Sequence, residues 1–301
     1  MNSSHLFIPS SHHLLTLVTL NSKSMKIGLI GFPVSHSKSP QMQGAAFALA
    51  GLAGWTYELW NTPHEAVAAR VQMIRDDASV AGANVTVPHK LNVMPHLDAI
   101  SGQAEAIGAV NTILKREGQL LGDNTDWIGF LNDLLWHGVN VREAGHALVL
   151  GAGGSARAVV YALLQSGWDV TVVNRDHIRA MELVSDMRRI FDNRDGIYFA
   201  RQLDDYITGA HGLIVNCTSA GMEPNDNTSP WPDDLPFPKN AVLYDLVYKP
   251  RLTKLMQLAE AAGARAIGGI GMLAEQGAAA FELWTGVAAE KVSRVMRETI
   301  G

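Results

Sequence analysis

The fold is decided by the stretch Ala147-Leu148-Val149-Leu150-Gly151-Ala152-Gly153-Gly154-Ser155-Ala156, in which four apolar residues run into a glycine-rich turn. Apolar residues at helical spacing continue to Gln165, and a second β-branched run spans residues 169–173. The spacing fits G-x-G-x-x-A in the strand, turn and helix order that a dinucleotide-binding unit requires. The sequence therefore predicts a Rossmann-type domain here.

Small residues of this turn have separate physical roles in binding a dinucleotide. Gly151 permits the tight turn, Gly153 lets the backbone approach the pyrophosphate, and Ala156 keeps the helix close to the strand. We assign the whole turn to the cofactor site, with the residues Gly151, Ala152, Gly153, Gly154, Ser155 and Ala156.

The choice between NAD and NADP depends on the end of the second strand, where Asp or Glu usually accepts a hydrogen bond from the ribose 2′-hydroxyl of NAD. Here the residue is Asn174, which does not repel a 2′-phosphate. Arg175 and Arg179, one helical turn apart, add guanidinium groups that can clamp that phosphate, so we predict NADP. Asp176 keeps NAD open as an alternative, and two solvated arginines at a helix start are another.

A second informative run is Asn84-Val85-Thr86-Val87-Pro88-His89-Lys90. As a strand over residues 80–87 it turns the two valines towards a core and the amide and hydroxyl to the other face, and Pro88 ends the ladder. Lys90 follows where its ammonium can approach the small molecule that Asn84 and Thr86 contact. Taken alone, such a run is more often a strand end with a solvated lysine.

Three further segments complete a pattern, at residues 28–40, 108–112 and 122–126. Ser39-Pro40 in the first is typical of a helix start with Ser39 at the N-cap, and the free N–H groups there, with the Ser37 and Ser39 hydroxyls, suit a carboxylate. An ordinary helix cap is the alternative. In this order, together with the glycine turn, the segments resemble the shikimate dehydrogenase family from about Met25 to the C-terminus.

The resemblance implies an α/β fold, with an N-terminal α/β substrate domain built on a mostly parallel sheet and a Rossmann-type dinucleotide-binding domain. It also implies reversible hydride transfer between NADPH and the 3-keto group of 3-dehydroshikimate. Lys90 and Asp126 then become the catalytic residues, with Lys90 as the proton donor to the developing alkoxide and Asp126 as its partner.

The resemblance extends to the other residues of the site. The substrate-binding residues that it implies are Ser37, Ser39, Asn84, Thr86, Lys90, Asn111, Asp126, Tyr248 and Gln276. To the cofactor site it adds Thr218, Gly269 and Met272. The structural alternatives are a turn satisfied by Asn111, an exposed helix position for Gln276 and strand packing for Tyr248.

Two departures from the family pattern carry consequences. Gln43-Gly44 stands where His-Asn is frequent, which we expect to affect helix packing. Trp127 follows Asp126 where a small residue is common, so the preference between shikimate and quinate stays open. The competing interpretations are an NAD-preferring quinate/shikimate dehydrogenase and, in another class, a dinucleotide-binding sensor without turnover.

Composition limits the partners. The chain has 301 residues, 47% hydrophobic content and a formal net charge of −5, with no long Lys/Arg run, which argues against nucleic-acid binding and for a small-molecule substrate. No apolar run is long enough to predict a membrane span, and no histidine array predicts a metal site. The single cysteine, Cys217, excludes an intramolecular disulfide and fits the cytoplasm. A homodimer is compatible with the sequence.

Alternating strand and helix patterns predict the domain organisation. We expect a flexible extension at residues 1–24, a substrate-binding and catalytic domain at 25–126 completed by helices within 269–301, and a cofactor domain at 127–268. A helix after Asp126 should be the hinge. The patterns also predict helices at 64–76 and 98–107, a hairpin at Glu117-Gly118 and a surface loop at 223–239.

Overall fold

The computed structural model describes residues 24–193, 195–203 and 212–301, which form two six-stranded sheets with helices packed against them. The extension expected at residues 1–24 lies outside the described residues except for Ser24. Within the described ranges, no helix combines the length and the apolar character needed to cross a membrane.

The first sheet contains β1 (Met25–Gly31), β2 (Trp55–Asn61), β3 (Val80–Val85), β4 (Ala99–Ile100), β5 (Thr112–Arg116) and β6 (Gln119–Asp123). Their order is β2-β1-β3-β5-β6-β4. β1 runs parallel to β2 and β3, and β4 to β6, whereas β5 is antiparallel to β3 and β6. The β5–β6 hairpin turns at Glu117 and Gly118, both with positive φ, as such a tight turn requires.

Helices connect the parallel strands of this sheet. α1 (Ser39–Leu49) connects β1 to β2, α2 (Val67–Asp76) connects β2 to β3, and α3 (Gly102–Ile107) precedes β5. α2 buries Val67, Val71 and Ile74, whose helical spacing aligns them on the face that packs against the sheet.

The second sheet is parallel throughout, and its strands are β7 (His146–Leu150), β8 (Asp169–Val173), β9 (Ile197–Ala200), β10 (Leu213–Asn216), β11 (Val242–Asp245) and β12 (Arg265–Gly268). The order is β12-β11-β10-β7-β8-β9. Its helices are α5 (Gly154–Gln165), α6 (His177–Ile190) and α7 (Lys254–Ala261). This is the doubly wound order, with its switch point between β7 and β10, so the predicted Rossmann-type architecture is confirmed.

Three helices connect the two sheets. α4 (Asp126–Trp136) contributes Phe130 and Leu134 to the core of the second sheet and packs along α8 (Ile270–Thr285). α8 and α9 (Ala289–Ile300) return to the first sheet, where Trp284 and Ile300 share a core with Ile27. The C-terminal helices therefore complete the hydrophobic core that the N-terminal strands begin.

Several predicted element boundaries were wrong. β3 ends at Val85, and Val87 is 64% exposed instead of facing a core, because the chain has already left the sheet to form the turn before Lys90. Residues 98–107 divide into the short strand β4 and the helix α3, since Asp98 and Ser101 hydrogen-bond to Leu120 and Gly122 of β6. Residues 64–66 form a 3₁₀ turn before α2.

Two local predictions need smaller corrections. Lys38, not Ser39, occupies the N-cap of α1, and Ser39 is its first residue. The segment 223–239 lacks helices and strands as expected, but Trp231 and Phe237 are buried and pack against each other with ring centroids 4.8 Å apart. This segment is therefore partly core and not only surface.

Candidate active site

Lys90 and Asp126 meet at the carboxyl end of the first sheet. Lys90 lies in the turn after β3 and Asp126 is the first residue of α4. The Lys90 Nζ donates to Oδ2 of Asp126 at 2.5 Å, and the two side chains are only 10% and 6% exposed. Because the pair is largely shielded from water, the carboxylate keeps the ammonium beside it. The lysine is therefore not a solvated residue at a strand end.

Asn111 fixes the carboxylate of this pair. Its Nδ2 donates to Oδ1 of Asp126 at 2.9 Å and to Oε1 of Gln276 at 3.3 Å. Its Oδ1 accepts from the backbone N–H of Thr125 at 2.7 Å, so the same side chain also stabilises the turn into α4. Asn111 therefore stabilises the turn, as the structural alternative expected, and also contacts Asp126.

Asn84 extends the network to a residue that sequence reasoning missed, Tyr57 of β2. The Asn84 Nδ2 donates to the backbone oxygen of Asn111 at 3.2 Å, and its Oδ1 accepts from the Tyr57 hydroxyl at 2.8 Å. Burial raises the pKa of Tyr57 well above its usual value, and a hydrogen bond with Ser39 partly opposes that shift. The one sequence pattern that indicates an inward-facing Tyr57 is its alternation with Thr56 and Glu58, which are both exposed.

The two serines lie together at the start of α1. Ser37 Oγ donates to Ser39 Oγ at 3.1 Å and accepts from the Ser39 backbone N–H at 3.2 Å. The N-cap residue Lys38 makes no side-chain cap and donates instead to the backbone oxygen of Ile300 at 2.9 Å. Two hydroxyls at a helix start suit an anionic group.

Gln276 reaches the site because α4 and α8 approach closely at Gly129. A Cβ on Gly129 would lie 2.6 Å from the backbone nitrogen of Gln276, so a larger residue would separate the helices. Gln276 is 9% exposed and is therefore not an exposed helix residue.

Thr86 and Tyr248 are the two predicted site residues that each follow a strand of a different sheet. Both are half-buried, Thr86 just after β3 and Tyr248 after β11, where burial raises the pKa of its hydroxyl. Among the described residues, neither hydroxyl joins the hydrogen-bonded network around Asn111.

The glycine turn lies at the carboxyl end of β7. Gly151 has φ +111°, a conformation that favours glycine, and its N–H donates to the backbone oxygen of Val173 at 2.8 Å. α5 starts at Gly154 with the exposed Gly153 at its N-cap and no side-chain cap. Its first amides can therefore bind phosphate oxygens, so the turn fits the pyrophosphate of a dinucleotide.

Of the other predicted cofactor residues, Thr218 is the one that the structure brings against this turn. A Cβ on Gly151 would lie 3.3 Å from Cγ2 of Thr218, so Thr218 is adjacent to the turn. Gly269 is the N-cap of α8, and Met272 is buried within the core of the second sheet. Ala156 is fully buried, as close packing of α5 on the sheet requires.

The residues predicted to bind the 2′-phosphate on the adenosine side of the cofactor (the adenosine site) have a geometry that the sequence only partly anticipated. Arg175 precedes α6 and is exposed, so it does not share a helix with Arg179. Asp176 is the N-cap of α6, accepting from the backbone N–H of Ile178, and its Oδ2 lies 3.3 Å from Nε of Arg179. The Asn174 amide donates to the backbone oxygen of Asp176 at 2.8 Å. Asp176 thus has a structural role that does not depend on a ribose.

Trp127 does not line the site, despite its position beside Asp126. Its ring packs edge-on against Tyr161 of α5, with centroids 5.9 Å apart, within the core of the second sheet. Gln43, the other departure, is fully buried, and its Nε2 donates to the backbone oxygen of Gly277 at 3.1 Å, so it affects packing as expected. Burial, followed by the charge of Asp245, raises the pKa of the Cys217 thiol, so the thiol is a weak nucleophile.

Two family models match the chain, one in its N-terminal part and one in its C-terminal part. Residues 29–113 match the shikimate dehydrogenase substrate binding domain, and residues 269–300 match the shikimate 5'-dehydrogenase C-terminal domain. The two matches cover the segments that carry Ser37, Asn84, Lys90 and Asn111 on one side and Gln276 on the other.

Similar proteins cover nearly the whole chain. A shikimate dehydrogenase (NADP(+)) of Thermus thermophilus is 41% identical over 263 residues, 87% of this chain and 93% of that protein. The protein of the same name from Methanopyrus kandleri is 38% identical over 290 residues, 94% of this chain and 97% of its own. A crystal structure of shikimate 5-dehydrogenase from Thermus thermophilus, in complex with NADP(H) and shikimate, aligns with a TM-score of 0.80 at 39% identity, covering 91% of this chain and 99% of that chain.

Proposed function

The chain belongs to the shikimate dehydrogenase family, and we propose that it catalyses the reversible NADPH-dependent reduction of 3-dehydroshikimate to shikimate. The observation that carries the proposal is the buried Lys90–Asp126 pair within a network of amide and hydroxyl groups at the carboxyl end of the first sheet, where we place the substrate cleft. A pocket that binds a polyol beside a proton donor needs this combination of groups.

Lys90 supplies the proton in this mechanism. When bound, NADPH supplies the hydride. As the substrate carbonyl oxygen gains negative charge, the Lys90 ammonium stabilises it and transfers a proton, and in shikimate oxidation the neutral amine takes the proton back. Asp126 orients the ammonium and accepts from a substrate hydroxyl.

The remaining polar groups bind the substrate according to their charge. Ser37 and Ser39 at the start of α1 donate to the substrate carboxylate. The hydroxyls are held by Asn84, Thr86, Asn111, Asp126 and Gln276, with Tyr248 at the edge of the site. Tyr57 donates to Asn84 and so helps to hold the amide that binds the substrate hydroxyls.

The cofactor is NADP, held by the turn at residues 151–156. Asn174 and Arg175 donate hydrogen bonds to the 2′-phosphate, and Arg179 adds positive charge nearby. Thr218, Gly269 and Met272 lie towards the nicotinamide.

We infer a substrate domain at residues 25–126 with helices from 269–301, a cofactor domain at 127–268, and α4 as the hinge. We also infer a cytoplasmic enzyme, from its single cysteine, and a homodimer as an assembly to test.

The deciding experiment assays the purified protein with shikimate and quinate, each with NADP⁺ and NAD⁺. We expect the highest kcat/KM for shikimate with NADP⁺. Faster turnover of quinate with NAD⁺ would replace this proposal with the NAD-preferring quinate/shikimate dehydrogenase. Tight NADP⁺ binding without turnover of either acid would favour the sensor.

A further inference from the structure

The catalytic lysine has a second hydrogen-bond partner, and it belongs to the dinucleotide-binding turn. The Lys90 Nζ donates to Oγ of Ser155, the second residue of α5, at 3.1 Å. Gly154, the residue before it, allows this approach, because a Cβ there would lie 3.0 Å from Cβ of Lys90. The turn expected to contact only the cofactor therefore also contacts the catalytic lysine.

This second contact limits the orientation of the ammonium group. A protonated lysine has three N–H bonds in a tetrahedral arrangement. With one bond donated to Asp126 and another to Ser155, the direction of the third is determined. With Asp126 alone, the end of the lysine side chain can swing about the Nζ···Oδ2 axis and carry the two remaining protons with it, so those protons have no fixed direction.

The position of Ser155 relative to Lys90 is itself fixed by neighbouring contacts. Arg157, two residues further along α5, donates through Nε to the backbone oxygen of Ile107 at 2.6 Å and pairs with Asp186 at 2.6 Å. Ile107 ends α3, and three residues later the N–H of Val110 donates to the backbone oxygen of Lys90 at 2.8 Å. The start of α5 and the backbone of Lys90 are thus anchored to the same segment.

We propose that Ser155 is a positioning residue for the reaction: its hydroxyl aims the free N–H of Lys90 into the substrate cleft and couples that orientation to the position of the dinucleotide-binding turn. The inference rests on the proposed function, since it assigns Lys90 as the proton donor. It implies that cofactor binding at the turn strengthens shikimate binding and that the coupling is reciprocal.

The test compares Ser155→Ala with Ser155→Thr, which keeps the hydroxyl, and with Ser166→Ala. Ser166 follows the same helix and its hydroxyl donates to the backbone oxygen of Ala162, remote from Lys90. The measurements are kcat and KM for shikimate, the solvent deuterium isotope effect on kcat, and the Kd of shikimate with and without NADP⁺.

Ser155→Ala should lower kcat about tenfold, the size expected for one charge-assisted hydrogen bond that is partly exposed to water. Its solvent isotope effect should rise, the dependence of shikimate Kd on NADP⁺ should weaken, and the Kd of NADP⁺ alone should stay within about threefold of wild type. Ser155→Thr should recover most of the loss, and Ser166→Ala should match wild type.

Wild-type kcat and undiminished coupling in Ser155→Ala would overturn the proposal. So would a loss explained wholly by weaker NADP⁺ binding, which would make Ser155 a cofactor ligand only. Failure of the proposed function is a separate result, because it would appear as absent turnover in the wild-type protein.

Discussion

Helix α4 carries two buried aspartates, Asp126 and Asp133, which lie two turns apart on one face of the helix. Asp126 pairs with Lys90 at the cleft. Asp133 is fully buried, its Oδ1 lies 2.7 Å from Nη1 of Arg297, and its Oδ2 accepts from the Tyr244 hydroxyl at 2.5 Å. Two aspartates on one face of the same helix thus have different kinds of partner.

The difference between the two sites lies in what surrounds each cation. Arg297 is also held by Oε1 of Glu275 at 2.7 Å and lies over the Trp136 ring, 4.7 Å from its centroid. Burial lowers the pKa of Arg297, but the hydrogen bonds to Glu275 and Asp133 together raise it by more, so the pKa lies above its usual value. That cation joins α4, α8 and α9 through side chains of the helices themselves, whereas Lys90 contacts the dinucleotide-binding turn.

The two carboxylates also differ in position along the helix. Asp126 is the first residue of α4, where the helix dipole stabilises a negative charge, and it keeps the Asn111 amide as a donor if Lys90 is removed. Asp133 lies in the second half of α4, where the dipole gives no such help. A buried ion pair should therefore serve activity at one end of the helix and stability at the other.

The largest effect should follow from Lys90→Ala. Losing the proton donor should lower kcat by about 10²–10⁴-fold while KM for shikimate stays within roughly tenfold, because proton transfer occurs only in the transition state. Lys254→Ala, which removes an exposed lysine paired with Asp233, is the matched control and should keep wild-type kcat. Near-normal kcat in Lys90→Ala would remove Lys90 from the mechanism.

The opposite behaviour is expected of Arg297→Ala. It leaves Asp133 buried without its cation, so the free energy of unfolding should fall by about 3–5 kcal/mol, measured by urea denaturation, while kcat of the folded protein at low temperature stays within a few-fold of wild type. Arg294→Ala, on the same helix in an exposed pair with Glu298, should change stability little. Equal losses in the two variants would show that the enclosed pair does not support the fold.

The distinction between cleft and core extends to the serines at the start of α1. Ser37→Ala combined with Ser39→Ala should raise KM for shikimate by roughly tenfold to a hundredfold and lower kcat less, because the carboxylate is bound alike in the ground and transition states. The midpoint of thermal unfolding should change little. An unchanged KM would place the carboxylate elsewhere in the cleft.

The smallest effects concern the adenosine site, where charges are exposed. Arg175→Ala should raise KM for NADP⁺ by about tenfold, since a charge-assisted contact to a phosphate is lost, with little change for NAD⁺. Arg179→Ala should raise it less, because that arginine is already paired with Asp176. A larger effect from Arg179 would mean that the Asp176 pair opens when the cofactor binds.

The pairing of Lys90 with Asp126 was predictable through the motifs that carry them, and the place of Asn111 and Gln276 beside them followed from the same resemblance. Tyr57 was missed because nothing near it in the sequence identifies its partners, Asn84 on β3 and Ser39 on α1. Trp127 left the preference between shikimate and quinate open in the sequence, and in the structure its ring packs against Tyr161.

Local sequence by itself determined the elements whose geometry depends on neighbouring residues: the glycine turn at Gly151, the periodic helices, the β5–β6 hairpin and the lysine after β3. These follow from backbone sterics and from side-chain periodicity over one or two turns. Only the tertiary structure decided that Asp133 pairs with Arg297 in the core, and that Ser155 reaches Lys90. Those contacts join residues far apart in the chain, and their geometry is set by how closely whole helices pack, which no local pattern encodes.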